Sequence, residues 1–203
     1  MSNVMCVTNR LLCEAPFLER IEQIAKSRPK AIILREKDLS AKAYQELAKE
    51  VMAICKRYEV TCILHSHVSV AKALKNPAIH LPLPILRTLP EEVRKSFSML
   101  GASCHSVLEA QEAQNLNCTY IIAGHIFATD CKKDLPPRGL AFLSKVCQSV
   151  QIPVWAIGGI SPQNISSIPP TKAQGICLMS SLMQCQNPTQ YIKTLSCSFT
   201  TFH

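Results

Sequence analysis

Tyr120-Ile121-Ile122-Ala123-Gly124-His125-Ile126-Phe127-Ala128-Thr129-Asp130-Cys131-Lys132-Lys133 is the stretch on which the fold turns. Its first four residues are apolar and centred on isoleucines, as in a short strand buried on both faces of a parallel sheet, and Gly124 ends the run. His125 follows at the mouth of a loop that carries Thr129, Asp130, Lys132 and Lys133. An imidazole has a reference pKa of about 6.5, so it can take and return a proton near neutrality. Just past a parallel strand it is a candidate acid/base. The alternative is a structural histidine bonded to a neighbouring carbonyl.

The same alternation runs outward in both directions. Val4 to Thr8 is a short apolar run, and Phe17, Leu18, Ile21, Ile24 and Ala25 then share one helical face. Ala31 to Leu34 is strand-like. Ser40 caps a helix whose face is Tyr44, Leu47, Ala48, Val51, Cys55 and Tyr58, and Thr61 to Leu64 gives a third strand followed by a short helix from Val68 to Leu74. Ala78 to Leu81 is a poorer strand, bracketed by Pro77, Pro82 and Pro84, with the next helix expected to start at Pro90. Met99 to Ser103 is the fifth strand, and Ser106 with Glu109 forms a capping box. Beyond the sixth strand come a helix from Arg138 to Val150, a strand from Pro153 to Ile157 and a brief helix capped by Ser161-Pro162. A strand from Gly175 to Met179 and a final helix opened by Asn187-Pro188 complete the chain. Repeated β-α units in this order most simply close into a (β/α)8 TIM barrel, expected as a single domain over 1–203, although a doubly wound open sheet shares the alternation.

Composition narrows the function classes. The 203 residues are 47% hydrophobic, enough for one sizeable core, and no linker-like stretch divides them. No apolar run approaches the ~18–20 residues of a membrane span, and no basic-then-apolar leader is visible, so a cytoplasmic protein without membrane association is expected. The eleven cysteines are scattered with no Cys-x-x-Cys pair, and they read as reduced thiols in the core. The net charge of +8 is dispersed and aromatics are only 5%, which argues against a nucleic-acid partner and suits anionic small molecules.

In a barrel, the loops after the strands carry the chemistry. Those positions hold Arg35-Glu36-Lys37, His65-Ser66-His67, Ser103-Cys104-His105 and His125. Gly158-Gly159 after the seventh strand and Ser180-Ser181 after the eighth occupy the usual phosphate-cradle loops. Arg35, Lys37 and Lys132 either hold a substrate carboxylate or pair with neighbouring acids. Cys104 and Cys131 lack a base to make either a nucleophile. His65, His67 and His80 lack the carboxylate or thiolate pattern of a zinc site and read as core or surface histidines. At the C-terminus, Leu195, Phe199 and Phe202 form either a tail or a seam for a homo-oligomer.

Leu34-Arg35-Glu36-Lys37-Asp38, Gly124-His125-Ile126-Phe127, Thr129 to Asp134, Ile152 to Ile160 and Met179-Ser180 together resemble the thiamine phosphate synthase superfamily, in order and over nearly the whole chain. The superfamily is a TIM barrel with two branches: the synthases, and the TenI-type thiazole tautomerases, some described as regulatory proteins. A synthase joins a pyrimidine pyrophosphate to a thiazole phosphate with Mg²⁺ held by two aspartates. Here His65-Ser66 replaces the Asn-Asp pair, the second aspartate falls on Ile85, and the glutamine facing the pyrimidine is Ile33.

The thiazole-phosphate half is intact, since Thr129, Gly158, Gly159, Met179 and Ser180 stand where the superfamily binds that ligand, and Ser103 lines the pocket by family position. The tautomerase branch also has His at position 125, where the synthases usually have Pro. The resemblance therefore implies a thiazole tautomerase of thiamin biosynthesis that needs neither metal nor cofactor, with His125 as its acid/base. The alternatives are a synthase-like enzyme and a non-catalytic regulator that binds a thiamin-related ligand.

Overall fold

Every strand is parallel to its neighbours, and the first closes on the last, so no sheet edge is left unpaired. The computed structural model describes residues 2–200. The barrel strands are β1 (Val4–Val7), β2 (Ala31–Leu34), β3 (Thr61–His65), β4 (Ala78–Pro82), β5 (Met99–Cys104), β6 (Tyr120–Gly124), β7 (Val154–Ile157) and β8 (Gly175–Leu178). Around them lie α1 (Phe17–Lys26), α2 (Ala41–Arg57), α3 (Val68–Ala73), α4 (Leu83–Thr88), α5 (Glu91–Lys95), α6 (Val107–Asn115), α7 (Gly139–Ser149), α8 (Ser180–Gln184) and α9 (Pro188–Thr200). This is a (β/α)8 TIM barrel, which removes the open-sheet alternative.

Strand alternation sorts the side chains into two cores. Met5, Val7, Ile33, Ile63, Tyr120, Ile122, Trp155 and Cys177 pack together inside the barrel, while neighbours such as Cys6, Ile32, Leu64, Ile121 and Ile176 join the layer under the helices. The interior aromatics need room, and glycines on adjacent strands supply it. Gly101 stands in register with Tyr120, and Gly175 with Trp155. A Cβ on Gly101 would lie 2.1 Å from Tyr120 Cζ, and one on Gly175 would lie 2.3 Å from Trp155 Cζ3.

The helix ends follow their sequence signals with instructive departures. Ser40 accepts from the Ala43 N–H at 3.3 Å, and Asn187 Oδ1 accepts from the Gln190 N–H at 3.0 Å. Ser106 Oγ accepts from the Glu109 N–H at 3.0 Å, but the Glu109 carboxylate takes the N–H of His105, so the box closes one residue early. The proline bracket around β4 does not weaken that strand. Pro82 ends it and Pro84 sits in the first turn of α4, where a missing N–H costs no hydrogen bond, so a helix forms before the one expected at Pro90.

Ser161-Pro162 caps no helix. Instead Asn164 accepts from the Ser161 N–H at 2.9 Å and donates to the Gly159 carbonyl at 2.8 Å, ahead of two single turns of 3₁₀ helix at Ile165–Ser167 and Pro169–Thr171. The expected C-terminal seam is also different: Leu195 and Phe199 are buried in the core, and Phe202 lies outside the described residues. Among the described residues no helix is long and apolar enough to cross a membrane.

The glycine–aromatic pairing sets an expectation for stability. Gly101→Ala should destabilise the protein by about 1–3 kcal/mol, the usual cost of overpacking, as read from the urea midpoint. An unchanged midpoint would mean that the Tyr120 ring does not fill that space.

Candidate active site

At the C-terminal ends of the strands the barrel opens into a cavity of about 360 Å³. Its β2 wall is built by an alternation in which Arg35 and Lys37 face the cavity and Glu36, between them, does not. Glu36 is buried, accepting from the Thr8 hydroxyl at 2.6 Å and from the Arg10 N–H at 3.0 Å and 3.1 Å on its two oxygens. Thr8 Oγ1 in turn accepts from the Arg35 N–H at 2.9 Å. From α2, the buried Tyr44 hydroxyl donates to the Leu34 carbonyl at 2.6 Å and accepts from the His65 N–H at 2.9 Å, tying the ends of β2 and β3 together.

Arg35, Lys37 and Lys132 line the cavity, and among the described residues none of them has an ion-pair partner. Among the described residues no carboxylate lines the cavity either. These cations therefore make no direct ion pair with an acid among the described residues, although the buried Glu36 charge still favours the Arg35 guanidinium. Burial lowers the pKa of Arg35, and the nearby Arg35 charge, followed by burial and Lys132, lowers that of Lys37.

His125 is buried where β6 meets its loop. Its Nε2 lies 3.2 Å from the Leu135 carbonyl oxygen, which can only accept, so the neutral imidazole carries its proton on Nε2. Among the described residues Nδ1 has no partner. The only fully buried side-chain nitrogen or oxygen atoms without a partner, among the described residues, are Arg20 Nε and Arg94 Nε, so Nδ1 of His125, a residue that lines the cavity, is not sealed off from solvent. The loop is held in place by bonds from the Arg138 N–H to the His125 carbonyl at 2.9 Å and from the Gly139 N–H to the Ile126 carbonyl at 3.0 Å.

Gly158 and Gly159 have φ of +104° and +65°. A Cβ on Gly158 would meet His125 Cβ at 2.3 Å, and one on Gly159 would meet the Ala128 carbonyl oxygen at 2.3 Å. The pair is therefore required by the close approach of the His125 loop, a packing reason that neither an anion cradle nor a tight turn, the two readings the sequence offers, includes. Across the cavity stand Met179 and the first turn of α8, Ser180 and Ser181, whose N–H groups have no partner within the helix. Ser103, Thr129 and Cys131 complete this part of the lining. Cys104 does not reach it: its thiol is buried near the Glu109 carbonyl and burial pushes its pKa up, which removes the nucleophile reading.

Two buried histidines form the cavity floor: His65, at the strand end where the sequence places chemistry, and His80, a core histidine that also lines the cavity. They are in register on β3 and β4 and stack with ring centroids 5.7 Å apart. His80 Nδ1 lies 3.1 Å from the Tyr120 hydroxyl and Nε2 lies 2.8 Å from Ser103 Oγ, while His65 Nδ1 lies 2.8 Å from Ser66 Oγ. Burial, with the adjacent His80 and cations, lowers His65 to about 2, and burial with Arg35 lowers His80 to about 3, so both rings are neutral. Counting by twos along β4, Ala78, His80, Pro82, was the signal that places His80 inward. His105 also lines the cavity, with Nδ1 2.8 Å from the Gly124 carbonyl, whereas His67 stacks on Tyr44 outside it.

The donor set does not suit the magnesium ion that a synthase would use. Mg²⁺ requires octahedral oxygen coordination, and the cavity offers imidazoles, cations and hydroxyls. Ile85 lies on α4, packed on the helix-side core, and Ile33 lines the cavity. Among the described residues no group of histidine, cysteine, aspartate or glutamate could hold a metal ion.

Comparison with known proteins matches residues 4–182 to the family model described as thiamine monophosphate synthase. A thiamine-phosphate synthase of Fusobacterium nucleatum is 33% identical over 184 residues, covering 89% of this chain and 88% of the relative. A putative thiamine-phosphate synthase 2 of Aquifex aeolicus is 31% identical over 187 residues, covering 91% and 99%. The solved structure of a thiamine phosphate pyrophosphorylase from Pyrococcus furiosus superposes with a TM-score of 0.84 at 28% identity, covering 97% of this chain and 95% of that one.

The neutral floor makes stability pH-dependent. Below about 6.5 the unfolded chain protonates these histidines while the folded state does not, so stability is full above that pH and is lost as pH falls through the window down to the folded values near 3. Each histidine should cost about 2 kcal/mol between pH 7.5 and pH 5. Urea titrations across that range should show a flatter slope in His80→Gln and again in His65→Gln; a slope identical to wild type would contradict the buried neutral pair.

Proposed function

The chain belongs to the thiamine monophosphate synthase family, enzymes of thiamine biosynthesis, and on that premise we propose that it isomerises rather than couples. The reading is a thiazole tautomerase: one proton moves from ring carbon C2 of a thiazole carboxylate phosphate tautomer to its exocyclic carbon, giving the aromatic ring. The observation that carries it is a cavity that, among the described residues, holds three cations without an ion pair and an imidazole whose Nδ1 makes no hydrogen bond, and is lined by no carboxylate.

The phosphate is assigned to the Gly158-Gly159 and Ser180-Ser181 loops, with Thr129 and Met179 beside them. The substrate carboxylate is assigned to Arg35, Lys37 and Lys132, and Ser103 meets the ring. His125 Nδ1 takes the C2 proton, and the electron pair of that C–H bond shifts through the ring double bonds toward the exocyclic carbon. The imidazolium then returns the proton there, so atoms and charge balance without a second reactant. The Leu135 carbonyl stabilises that transient cation through Nε2–H. Aromatisation supplies the driving force, and anchoring both anionic groups lets one base reach both carbons.

A second reading, coupling of a pyrimidine pyrophosphate to the thiazole phosphate, is favoured by the names of the relatives. It asks for a magnesium site that this lining does not fit. A non-catalytic regulator would bind the same ligand without turnover.

His125→Asn should still bind the aromatic product while its rate of tautomerisation, corrected for the spontaneous reaction, falls about 10²–10⁴-fold. Wild-type turnover should persist in a chelator. A variant with the wild-type rate would make His125 structural and leave the regulator as the better reading.

A further inference from the structure

The inner end of the cavity contains a chain of polar groups that the proton transfer does not use. Tyr120 lies inside the barrel, 2% exposed, in the space left by Gly101. Among the described residues its hydroxyl has one partner, His80 Nδ1 at 3.1 Å; His80 Nε2 has one, Ser103 Oγ at 2.8 Å; and Ser103 Oγ has no other. Ser103 is on the cavity wall.

The direction of this chain can be worked out from its closed end. A buried phenol must place its proton on an acceptor, and the one within reach is His80 Nδ1. That choice makes Nδ1 the acceptor of a neutral ring, a state burial enforces, and puts the ring proton on Nε2. Nε2–H then donates to Ser103 Oγ, filling an acceptor site of that hydroxyl, and the hydroxyl proton is left to point into the cavity. The opposite polarity would strand the Tyr120 proton inside the barrel.

We infer that Tyr120 and His80 are positioning residues that commit Ser103 to act as a hydrogen-bond donor toward an acceptor atom of the ligand ring. The inference rests on the proposed thiazole ligand and deepens it. The acceptor of suitable chemistry is the ring nitrogen, whose in-plane lone pair is present in both tautomers and takes no part in the shift of electrons from C2 to the exocyclic carbon. A donor fixed in advance there needs no reorganisation during the reaction. It also gives the site a preference: a ring offering a lone pair at that atom is accepted, and one offering an N–H or an alkyl group there meets a donor with no acceptor. A carboxamide or hydroxyl from a freely rotating side chain would impose no such choice.

The test has two parts, one of which needs no ligand. In ¹⁵N-labelled protein, His80 should show a protonated Nε2 and an unprotonated Nδ1, and Tyr120→Phe should turn that single tautomer into a mixture. Calorimetric binding of the aromatic thiazole carboxylate phosphate should then weaken about 10-fold or more in Ser103→Ala and about 3-fold in Tyr120→Phe, with the double variant no worse than Ser103→Ala alone, because Tyr120 acts only through the serine. A protonated Nδ1 at His80, or additive losses in the double variant, would overturn the inference. A wild type that binds the product but does not turn over the substrate would instead sink the tautomerase reading and leave the donor chain standing.

Discussion

The carboxylate of Glu36 is committed away from the cavity, and the character of the site follows from that. It lies between the two inward cations of β2's end, where a free rotation would let it neutralise either one. The Thr8 hydroxyl and the Arg10 N–H hold it from behind, and Thr8 simultaneously fixes the Arg35 backbone. One buried acid thus fixes the position of Arg35 while making no direct ion pair with it among the described residues, although its charge still favours the guanidinium. Arg10 adds a guanidinium shared between Glu36 and Asp38, so the turn after β2 is anchored at two carboxylates outside the cavity.

The rest of the lining is consistent with that excess of positive charge. Additional cations on the floor would raise the cost of holding Arg35, Lys37 and Lys132 together, and the two floor histidines avoid this by staying neutral. A phosphate monoester carries about −1.5 to −2 at neutral pH, so a ligand bearing a phosphate and a carboxylate balances the three cations. The glycines of β7's loop then let the His125 loop pack close, and His125 lines the same cavity as those charges. Charge, proton acceptor and neutral floor are products of one barrel mouth rather than separate devices.

Much of this was legible in the sequence because strand period and loop position are local properties. Short apolar runs around Ile32, Ile121 and Ala156 gave the barrel, and the residues just after them gave Arg35, Lys37, His125 and the Gly158-Gly159 loop. What was not legible depends on register between strands. His65 meets His80 only because β3 and β4 align at those residues, and Tyr120 reaches His80 only because Gly101 makes room between them. The Leu135 carbonyl is a backbone atom in a loop, and no residue type announces that it will meet an imidazole ten positions earlier. The misread C-terminus has a related cause: Leu195 and Phe199 share a helical face, and whether that face meets solvent or the barrel is decided by packing.

The central claim is that this member of the family rearranges a thiazole and does not couple one. The direct measurement is a side-by-side assay of the purified protein. One arm supplies the thiazole carboxylate phosphate tautomer alone, and the other supplies the pyrimidine pyrophosphate, thiazole phosphate and Mg²⁺, with products separated chromatographically. The account predicts enzyme-dependent aromatic thiazole in the first arm and no thiamin phosphate in the second. Thiamin phosphate formed in the second arm, with no acceleration in the first, would contradict it.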